Sequence, residues 1–463
     1  MNNLKVLTKR TWMVLVLSLL IILGLLFFTV KYTKNASKWV QHSTNRHLYS
    51  NGQFLAAGTI YDRNEEILYE TVDGSRKYHE DKTVRKAVMH AVGDSNGNVV
   101  TGAQVAFREK LSGWNLLNGA YRFNKKPGNF RSDLTLTLDA DLCSVAYKAL
   151  NGRKGTVGVY NYKTGEILCM VSSPTFDPEN QPDIEANSKK YEGVYINRLL
   201  SATYTPGSVF KLVTAAAAID NLENLNSKTY HCKGEKKIRG ETVTCLSKHG
   251  DISFEKALAE SCNVAFAEIS LALGGDTLQK YAEKVGFNSS LKVDNINTAI
   301  GKVNVADAQG GDLAWAGIGQ YSNTANPLNF MAYVGSIAND GVRVSPRILK
   351  KNDIVSLLPT SIKGEKDILS VETAYKLKTM MRNNVIEVYG EKNYEGLELC
   401  AKSGTAEVGG DNKPHAWFVG FMDREDYPLA FVVVIENGGS GSKVAGPVAK
   451  KVLQYAVSNL AEE

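Results

Sequence analysis

The longest apolar run of the chain lies near its amino terminus. Residues 12–30, WMVLVLSLLIILGLLFFTV, are 19 positions without a charge, which is long enough for a helix to cross a bilayer. The run lacks the polar face of a surface helix and the short apolar core and cleavage site of a signal peptide. We therefore expect a cytoplasmic tail over residues 1–10, one membrane anchor over residues 11–31 and a polar stalk over residues 32–50.

The position of the remaining chain relative to the membrane follows from this single run. Basic residues stand on both sides of it, so the charge rule gives only a weak preference for an amino end in the cytoplasm. No second run of this length and apolarity follows. We expect a single-pass protein of the cell membrane with the rest of the chain outside the cytoplasm.

Beyond the stalk, strand and helix patterns predict two domains. Short alternating segments, GTIYDRN and NVVTGAQVAF, indicate a small α+β pedestal over residues 51–133, which ends in the linker RFNKKPGNFRSD. The strand LTLTLD and the hairpin GTVGVYNYKTGEILCMVSS then precede a mainly helical block, and three β-rich runs follow it. Strands on both sides of a helical block predict a mixed α/β domain over residues 134–463, with a sheet built from both of its ends.

Charge and composition exclude one class of partner. The net charge is +6 over 463 residues, and the Lys and Arg residues are scattered. The sequence shows no basic stripe, zinc-finger spacing or aromatic RNA-binding motif. We expect no nucleic-acid partner.

The segment TYTPGSVFKLVTAAAAID places a serine and a lysine on one helical face. Thr205 can cap the amino end of a helix and Pro206 is tolerated at its first position, so we expect a helix start here with Ser208 in the first turn. Lys211 lies three residues further on in a helix that is apolar nearly all round, which predicts burial. Burial lowers the pKa of an ammonium group, and a neutral amine can take the proton of a hydroxyl. The alternative is a helix end whose lysine reaches out to water.

A second polar motif, Ser261-Cys262-Asn263, interrupts two apolar helical patterns. SFEKALAE precedes it and VAFAEISLALGG follows it. In a cleft, Ser261 could relay a proton to a leaving amine, and Asn263 could hold a substrate carbonyl. The alternative is an ordinary helix–helix corner.

A third motif, Lys402-Ser403-Gly404-Thr405, lies on a predicted strand. Its lysine and hydroxyls could bind a carboxylate, and Gly404 could allow a substrate backbone to lie along the strand. The backbone N–H groups of Ser208 and Thr405 could form an oxyanion hole. The alternative is an edge-strand turn without a ligand.

These three motifs, in this order, resemble those of penicillin-binding proteins and serine β-lactamases. Longer blocks resemble class B penicillin-binding proteins over residues 134–458: NRLLSATYTPGSVFK, GEILCMVSSPTFDPEN with Glu179 inserted, HGDISFEKALAESCN, IGQYSNTANPLNFMAYVGSIANDG and HAWFVGF. GTIYDRNEEIL is similar to the family's amino-terminal motif, with Ala57 in place of Arg and Glu65 in place of Gly. The short pedestal is similar to that of the penicillin-binding protein A branch.

The resemblance implies a D,D-transpeptidase of peptidoglycan with the serine transpeptidase/β-lactamase-like fold, a central antiparallel sheet flanked by helices. Ser208 would attack the D-Ala-D-Ala carbonyl, and Lys211 would be the base. Two further motif residues would assist proton transfer: Ser261 and Lys402. Four would bind the substrate: Asn263, Ser403, Gly404 and Thr405. Penicillins would acylate Ser208. Implied partners are stem peptides, β-lactams, a wall-synthesis glycosyltransferase and, through the pedestal, a second copy of the chain; no cofactor is implied.

Three other functions stay open at this point. A serine β-lactamase shares the fold, but the class A enzymes need a glutamate after the second motif, and no glutamate lies between Glu283 and Glu365. A D,D-carboxypeptidase uses water instead of an amine as acceptor, and the motifs do not distinguish the two. A non-catalytic β-lactam sensor or scaffold would keep the fold, although sensors usually carry several membrane spans and a signalling domain.

A group of metal-ligand residue types lies apart from these motifs. His231, Cys232, Cys245 and His249 fall within 19 residues. A structural zinc and a Cys232–Cys245 disulfide are the two alternatives. The spacing matches no standard zinc site, so we expect no metal here.

Overall fold

The computed structural model describes residues 2–40, 49–50, 53–54, 58–72, 75–111, 133–350 and 365–460. The chain splits into two compact units, one made of Met1–Thr59, Glu70–Arg76 and Phe107–Asp133 and the other of Ile60–Tyr69, Lys77–Ala106 and Leu134–Glu463. The helices are α1 (Asn2–Val40), α2 (Lys82–Val92), α3 (Ala103–Ala106), α4 (Arg108–Leu111), α5 (Ala140–Leu150), α6 (Arg198–Ser201), α7 (Lys211–Asn221), α8 (Phe254–Ala259), α9 (Asn263–Leu273), α10 (Gly275–Lys284), α11 (Gly310–Gly317), α12 (Pro327–Ala338), α13 (Val371–Asn384) and α14 (Gly446–Asn459). The strands are β1 (Tyr49–Ser50), β2 (Gln53–Phe54), β3 (Ile60–Tyr61), β4 (Ile67–Val72), β5 (Ser75–Tyr78), β6 (Leu134–Thr135), β7 (Gly155–Asn161), β8 (Ile167–Ser173), β9 (Tyr230–Cys232), β10 (Glu235–Ile238), β11 (Glu241–Thr244), β12 (Gly250–Ile252), β13 (Lys292–Val293), β14 (Ile296–Asn297), β15 (Val342–Val344), β16 (Glu365–Asp367), β17 (Leu399–Ala406), β18 (His415–Met422) and β19 (Leu429–Ile435).

The apolar amino-terminal run forms one continuous helix, α1. Its most apolar stretch has a mean hydropathy of 3.0, and none of its residues is buried within the protein. Among the described residues, α1 alone is long and apolar enough to cross a membrane. This agrees with the predicted single anchor.

The central sheet has five strands in the order β17-β18-β19-β7-β8, and all neighbours are antiparallel. It joins the early hairpin, β7 and β8, to three late strands, which confirms the mixed α/β fold with a sheet built from both ends of the segment. Every residue of β7, β8 and β19 is buried, as in strands covered on both faces. Helices α5 and α12 are among those that pack against these strands.

The alanine-rich helix α7 lies at the centre of the helical block. It packs against α9, α10 and α13, and its residues Lys211 to Ala218 are all buried. Small alanine side chains let the neighbouring helices approach closely, so the start of α7 is held firmly.

The amino-terminal motif GTIYDRN contributes a strand next to the transpeptidase segment. In β3, Ile60 pairs in parallel with Leu134 and antiparallel with Tyr69. Residues Ile60–Tyr69 and Lys77–Ala106 belong to the same compact unit as Leu134–Glu463. The domain boundary at residue 133 stays a prediction, and most of the predicted linker lies outside the described residues.

The inserted Glu179 has partners within this unit. Its Oε1 accepts a hydrogen bond from the backbone N–H of Tyr78 at 3.1 Å, and its Oε2 lies 3.4 Å from Nη1 of Arg85. Arg85 also donates to both carboxylate oxygens of Asp177, at 2.7 and 2.8 Å. The insertion therefore adds a second carboxylate to an existing ion pair.

Candidate active site

The predicted nucleophile lies on a short 3₁₀ helix, Gly207–Phe210, which leads directly into α7. Gly207 adopts a positive φ of 56°, a conformation that glycine tolerates best. The cap predicted from Thr205 is wrong: no side chain caps this turn, and the Thr205 carbonyl instead accepts a hydrogen bond from Nε1 of Trp417 at 3.0 Å. The tight turn leaves Ser208 half-buried.

Lys211 has no exposed surface, so the alternative of a lysine reaching into water is wrong. Its Nζ donates to the Ser261 carbonyl at 2.6 Å, to Ser261 Oγ at 3.1 Å and to Asn263 Oδ1 at 2.7 Å. The ring of Phe266 lies 5.6 Å from Nζ. Burial lowers the pKa of Lys211 to about 7, which makes the neutral amine abundant near neutral pH.

A second buried lysine shares the same serine hydroxyl. Lys402 Nζ donates to Ser261 Oγ at 3.0 Å and to the Ser403 carbonyl at 3.0 Å. Burial first, and then the nearby charge of Lys211, lower the pKa of Lys402 well below its ordinary value. Ser261 thus bridges two lysines whose ammonium forms are both disfavoured.

The second motif forms a sharp corner between α8 and α9. Ser261 occupies the left-handed region with φ of 55°, which is uncommon for a residue with a side chain. Asn263 begins α9, and its Nδ2 donates to the Thr244 carbonyl at 2.7 Å. The second motif is therefore a helix–helix corner, and this strained turn aims both of its polar side chains at Lys211.

The third motif lies on β17, which is an edge strand of the central sheet. Lys402 and Gly404 are buried, whereas Ser403 and Thr405 are half-buried. A Cβ at Gly404 would lie 2.9 Å from the Pro206 carbonyl and 3.2 Å from the Val209 nitrogen. The glycine therefore brings the strand against the turn that carries the nucleophile.

Tyr389 completes the third motif and was not predicted. It lies on a π-helix, Val385–Gly390. Its hydroxyl donates to Ser403 Oγ at 3.0 Å and accepts from the Ser403 backbone N–H at 2.8 Å. Burial raises the pKa of Tyr389, so the hydroxyl keeps its proton. No sequence pattern signals this contact, because the tyrosine precedes the motif on a separate irregular helix.

Glu436, an acidic residue that was likewise not predicted, binds side chains of the segment that precedes the nucleophile. Its Oε1 accepts from Arg198 Nε at 2.7 Å and from the Tyr204 hydroxyl at 2.8 Å. Arg198 belongs to the block NRLLSATYTPGSVFK, and the backbone N–H of Tyr204 donates to Ala325 at 3.0 Å. This pairing links the start of the block to the end of β19.

The Ser208 hydroxyl itself is uncommitted. Among the residues that the structure describes, no side chain or backbone group forms a hydrogen bond with it, since the contacts of Lys211 go to the second motif. Catalytic hydrogen bonds often tighten only when substrate is bound. The structure thus brings the three motifs together, with the nucleophile free to react.

The cysteine- and histidine-rich segment divides in the structure. His231 is exposed and pairs with Asp251 at 2.5 Å. Cys232, Cys245 and His249 instead lie together with Cys262, and their ligand atoms all fall within 4.8 Å of one another. The three cysteines of this group are free thiols, so the Cys232–Cys245 disulfide is not formed.

Comparison with known proteins agrees with the geometry. Residues 155–454 match the penicillin binding protein transpeptidase domain. The peptidoglycan D,D-transpeptidase PbpA of Mycolicibacterium smegmatis is 28% identical over 333 residues, which cover 66% of this chain and 67% of that protein. Stage V sporulation protein D of Bacillus subtilis is 27% identical over 357 residues, which cover 71% of this chain and 54% of that protein.

Solved structures show the same fold. The crystal structure of PBPA from Mycobacterium tuberculosis covers 87% of this chain and 99% of its own, with a TM-score of 0.72 and 25% identity. A ceftriaxone acyl-enzyme complex of penicillin-binding protein A from the same organism covers 87% of this chain and 98% of its own, with a TM-score of 0.72 and 24% identity. This chain therefore belongs to the penicillin-binding protein transpeptidase family, as a class B member similar to penicillin-binding protein A.

Proposed function

We propose that this chain is a membrane-anchored D,D-transpeptidase that cross-links peptidoglycan stem peptides through an acyl-enzyme on Ser208. The observation that carries the proposal is the network in which buried Lys211 and Lys402 meet at Ser261 Oγ, at 3.1 and 3.0 Å. A network of this kind supplies a base for a serine nucleophile and a route for its proton. The family membership and the acyl-enzyme structures of related proteins support the same chemistry.

In the first step, Ser208 Oγ attacks the carbonyl between the two terminal D-alanines. Neutral Lys211 has two N–H donors, which the Ser261 carbonyl and Asn263 Oδ1 occupy at 2.6 and 2.7 Å. The neutral amine has lost the third N–H, the one donated to Ser261 Oγ at 3.1 Å, and its lone pair takes the Ser208 proton. The bond from Oγ to the carbonyl carbon forms, and the backbone N–H groups of Ser208 and Thr405 face the developing oxyanion.

In the second step, the C–N bond to the terminal D-alanine breaks and its amine needs a proton. The Ser261 hydroxyl gives its proton to this amine and regains one from protonated Lys211. Lys402 donates to the same oxygen at 3.0 Å and so stabilises the serine while its proton is in transit. The free D-alanine leaves, and an acyl-enzyme remains on Ser208.

The third motif recognises the terminal carboxylate of the donor peptide. Ser403 and Thr405 alternate with buried residues along β17, so their hydroxyls face the same side of the edge strand. The open edge lets a peptide add as a further strand. Asn263 keeps one N–H for a substrate carbonyl, because Thr244 accepts only the other.

The acyl-enzyme is resolved by the amine of a neighbouring stem peptide. That amine attacks the ester carbonyl and gives one proton to the neutral Lys211. The C–O bond to Ser208 breaks as the amide cross-link forms, and Ser208 Oγ takes the proton from Lys211. The missing glutamate between Glu283 and Glu365 favours an acyl-enzyme that waits for an amine over one that water hydrolyses. The missing glutamate therefore lowers the place of a class A β-lactamase, and the relatives named as D,D-transpeptidases favour transpeptidation over the carboxypeptidase alternative.

The anchor would hold this chemistry at the membrane. Helix α1 would span the bilayer once, with the catalytic domain in the extracytoplasmic space where stem peptides are cross-linked. A wall-synthesis glycosyltransferase and a second copy of the chain, through the pedestal, are the protein partners that this placement would serve.

Labelling with a fluorescent penicillin tests the assignment of the nucleophile. Wild-type protein and Ser201→Ala, which alters an exposed serine at the end of α6, should both become labelled. Ser208→Ala should show only background labelling, because no oxygen remains to form the ester. Equal labelling of Ser208→Ala and wild type would disprove the mechanism.

A further inference from the structure

Four soft and borderline ligand atoms converge beside the second motif. Cys232 Sγ lies 3.6 Å from Cys245 Sγ and 3.3 Å from His249 Nδ1, and Cys245 Sγ lies 3.8 Å from Cys262 Sγ. All four ligand atoms lie within 4.8 Å of one another. The mechanism described above uses none of them.

These spacings match a tetrahedral zinc centre. With Zn–S bonds of about 2.3 Å and Zn–N bonds of about 2.0 Å, the edges of the tetrahedron measure about 3.8 Å between sulfurs and about 3.5 Å between sulfur and nitrogen. The observed separations of 3.6, 3.8 and 3.3 Å are close to these edges. Three cysteines and one histidine form a standard closed structural zinc set, although their spacing along the chain is unusual.

The groups around the four ligands orient them, as the hydrogen-bond partners of metal ligands do in zinc sites. His249 Nε2 lies 3.1 Å from Ser247 Oγ, so an Nε2–H donor would leave the Nδ1 lone pair directed at the cluster. Cys245 Sγ accepts backbone N–H groups from Asn263 at 3.1 Å and from Val264 at 3.4 Å. Backbone donors of this kind stabilise a metal-bound thiolate.

The four ligands come from four different places along the chain. Cys232 ends β9, His249 precedes β12, and these two strands pair with each other. Cys245 follows β11, and Cys262 caps the amino end of α9. A metal here would fasten both hairpins to the helix that carries the second motif.

We propose that Cys232, Cys245, His249 and Cys262 bind one Zn²⁺, and that this zinc positions Ser261 and Asn263 for catalysis. Cys262 is the residue between the two, so fixing its Sγ fixes the strained corner. Thr244, which accepts from Asn263 Nδ2 at 2.7 Å, directly precedes the ligand Cys245. The metal thus holds the motif from both sides, and the earlier expectation of no metal rested on spacing that did not include Cys262.

Metal analysis of the full-length protein in detergent tests the site. Elemental mass spectrometry should find one zinc per chain in the wild type and in His231→Ala, whose histidine neighbours Cys232 but pairs with Asp251. His249→Ala and Cys245→Ser should each lose most of the zinc, at least fivefold. Zinc that stays at wild-type level in both folded ligand variants would overturn the assignment.

If the ligand variants do not fold, measurements on the wild-type protein alone test the zinc site. Protein stripped of metal and loaded with Co²⁺ should show the visible absorption of a tetrahedral thiolate-bound cobalt ion. Its absence from folded wild-type protein, or a Cys232–Cys245 disulfide in the unreduced protein by mass spectrometry, would overturn the proposal.

A kinetic measurement separates positioning from general stability. At a temperature well below the unfolding midpoint, removal of zinc should slow acylation by saturating penicillin about tenfold, and added Zn²⁺ should restore the rate. The rate constant at saturation reports the geometry of the bound state, which a purely stabilising metal would not change. Equal rate constants with and without zinc would overturn the positioning role.

Discussion

Lys211 and Lys402 donate to one serine oxygen, an arrangement that two fully charged ammonium groups would resist. Both side chains are 0% exposed, and burial lowers the pKa of each. Because like charges so close together repel, only one of the pair is expected to carry a proton at a time. The serine between them can then exchange a proton with either lysine.

The pKa of Lys211 predicts how acylation depends on pH. Burial lowers it to about 7, and only the neutral amine can take the Ser208 proton. Acylation by penicillin should therefore fall about tenfold for each pH unit below 7 and reach a plateau above it. Stopped-flow measurement of the acylation rate constant between pH 5 and pH 9 checks this.

Two arginine variants provide the comparison for this profile. Lys211→Arg keeps a permanent charge and should acylate about 10²- to 10⁴-fold more slowly at every pH. Lys237→Arg changes an exposed lysine on β10 and should behave as the wild type. A wild-type profile that stays flat down to pH 5 would contradict the role of Lys211 as the base.

The hydrogen bonds of Tyr389 lead to a second prediction about a single side chain. Tyr389→Phe removes the hydroxyl that donates to Ser403 Oγ and accepts from its N–H, which should cost about 1–3 kcal/mol in binding the substrate carboxylate. The second-order rate constant for penicillin acylation should fall about tenfold. Tyr375→Phe, at an exposed tyrosine of α13, is the control, and an equal rate constant for both variants would show that Tyr389 does not orient Ser403.

Strand β17 packs closely against the 3₁₀ turn Gly207–Phe210. Gly404 allows the close contact from the strand side. Gly207 allows it from the turn side, since a Cβ there would lie 2.8 Å from the Thr405 carbonyl. Two glycines at one contact therefore bring β17 close to the turn that carries Ser208. The proposed oxyanion hole, formed by the backbone N–H groups of Ser208 and Thr405, would therefore depend on the separation of these two elements.

Gly404→Ala should widen that separation. Its new Cβ would lie 2.9 Å from the Pro206 carbonyl, so β17 must shift, at a cost of about 1–3 kcal/mol in the free energy of unfolding. Penicillin acylation should fall more steeply than stability, as thermal unfolding and labelling would show together. Glu407→Ala, which only shortens the next exposed side chain beyond β17, is the control; a Gly404→Ala variant with wild-type acylation would refute the close contact.

Residues within short, ordered motifs were easier to predict from the sequence than residues whose roles depend on tertiary contacts. Ser208, Lys211 and Ser261 were identifiable because local patterns place them at helix starts and corners. Tyr389 and Cys262 were not, because their roles depend on contacts with residues distant along the chain. The cap expected from Thr205 failed because the positive φ of Gly207 starts a 3₁₀ turn that the sequence pattern does not show.

The whole chain joins a catalytic domain to a membrane helix. Helix α1 has 39 residues, or roughly 60 Å at 1.5 Å per residue, which exceeds the hydrocarbon core of a bilayer at about 30 Å. The helix can therefore cross the membrane and still continue beyond it. This length suits an enzyme whose substrate, the peptidoglycan, lies outside the bilayer.

Transpeptidation by the whole molecule is the most direct test of the account. Full-length protein in detergent would be incubated with a stem pentapeptide donor and an amine acceptor, and products would be resolved by mass spectrometry. The account predicts one D-alanine released for each cross-linked product, and neither product with Ser208→Ala. D-alanine release that yields only hydrolysed tetrapeptide in the presence of the acceptor, or that persists in Ser208→Ala, would contradict it.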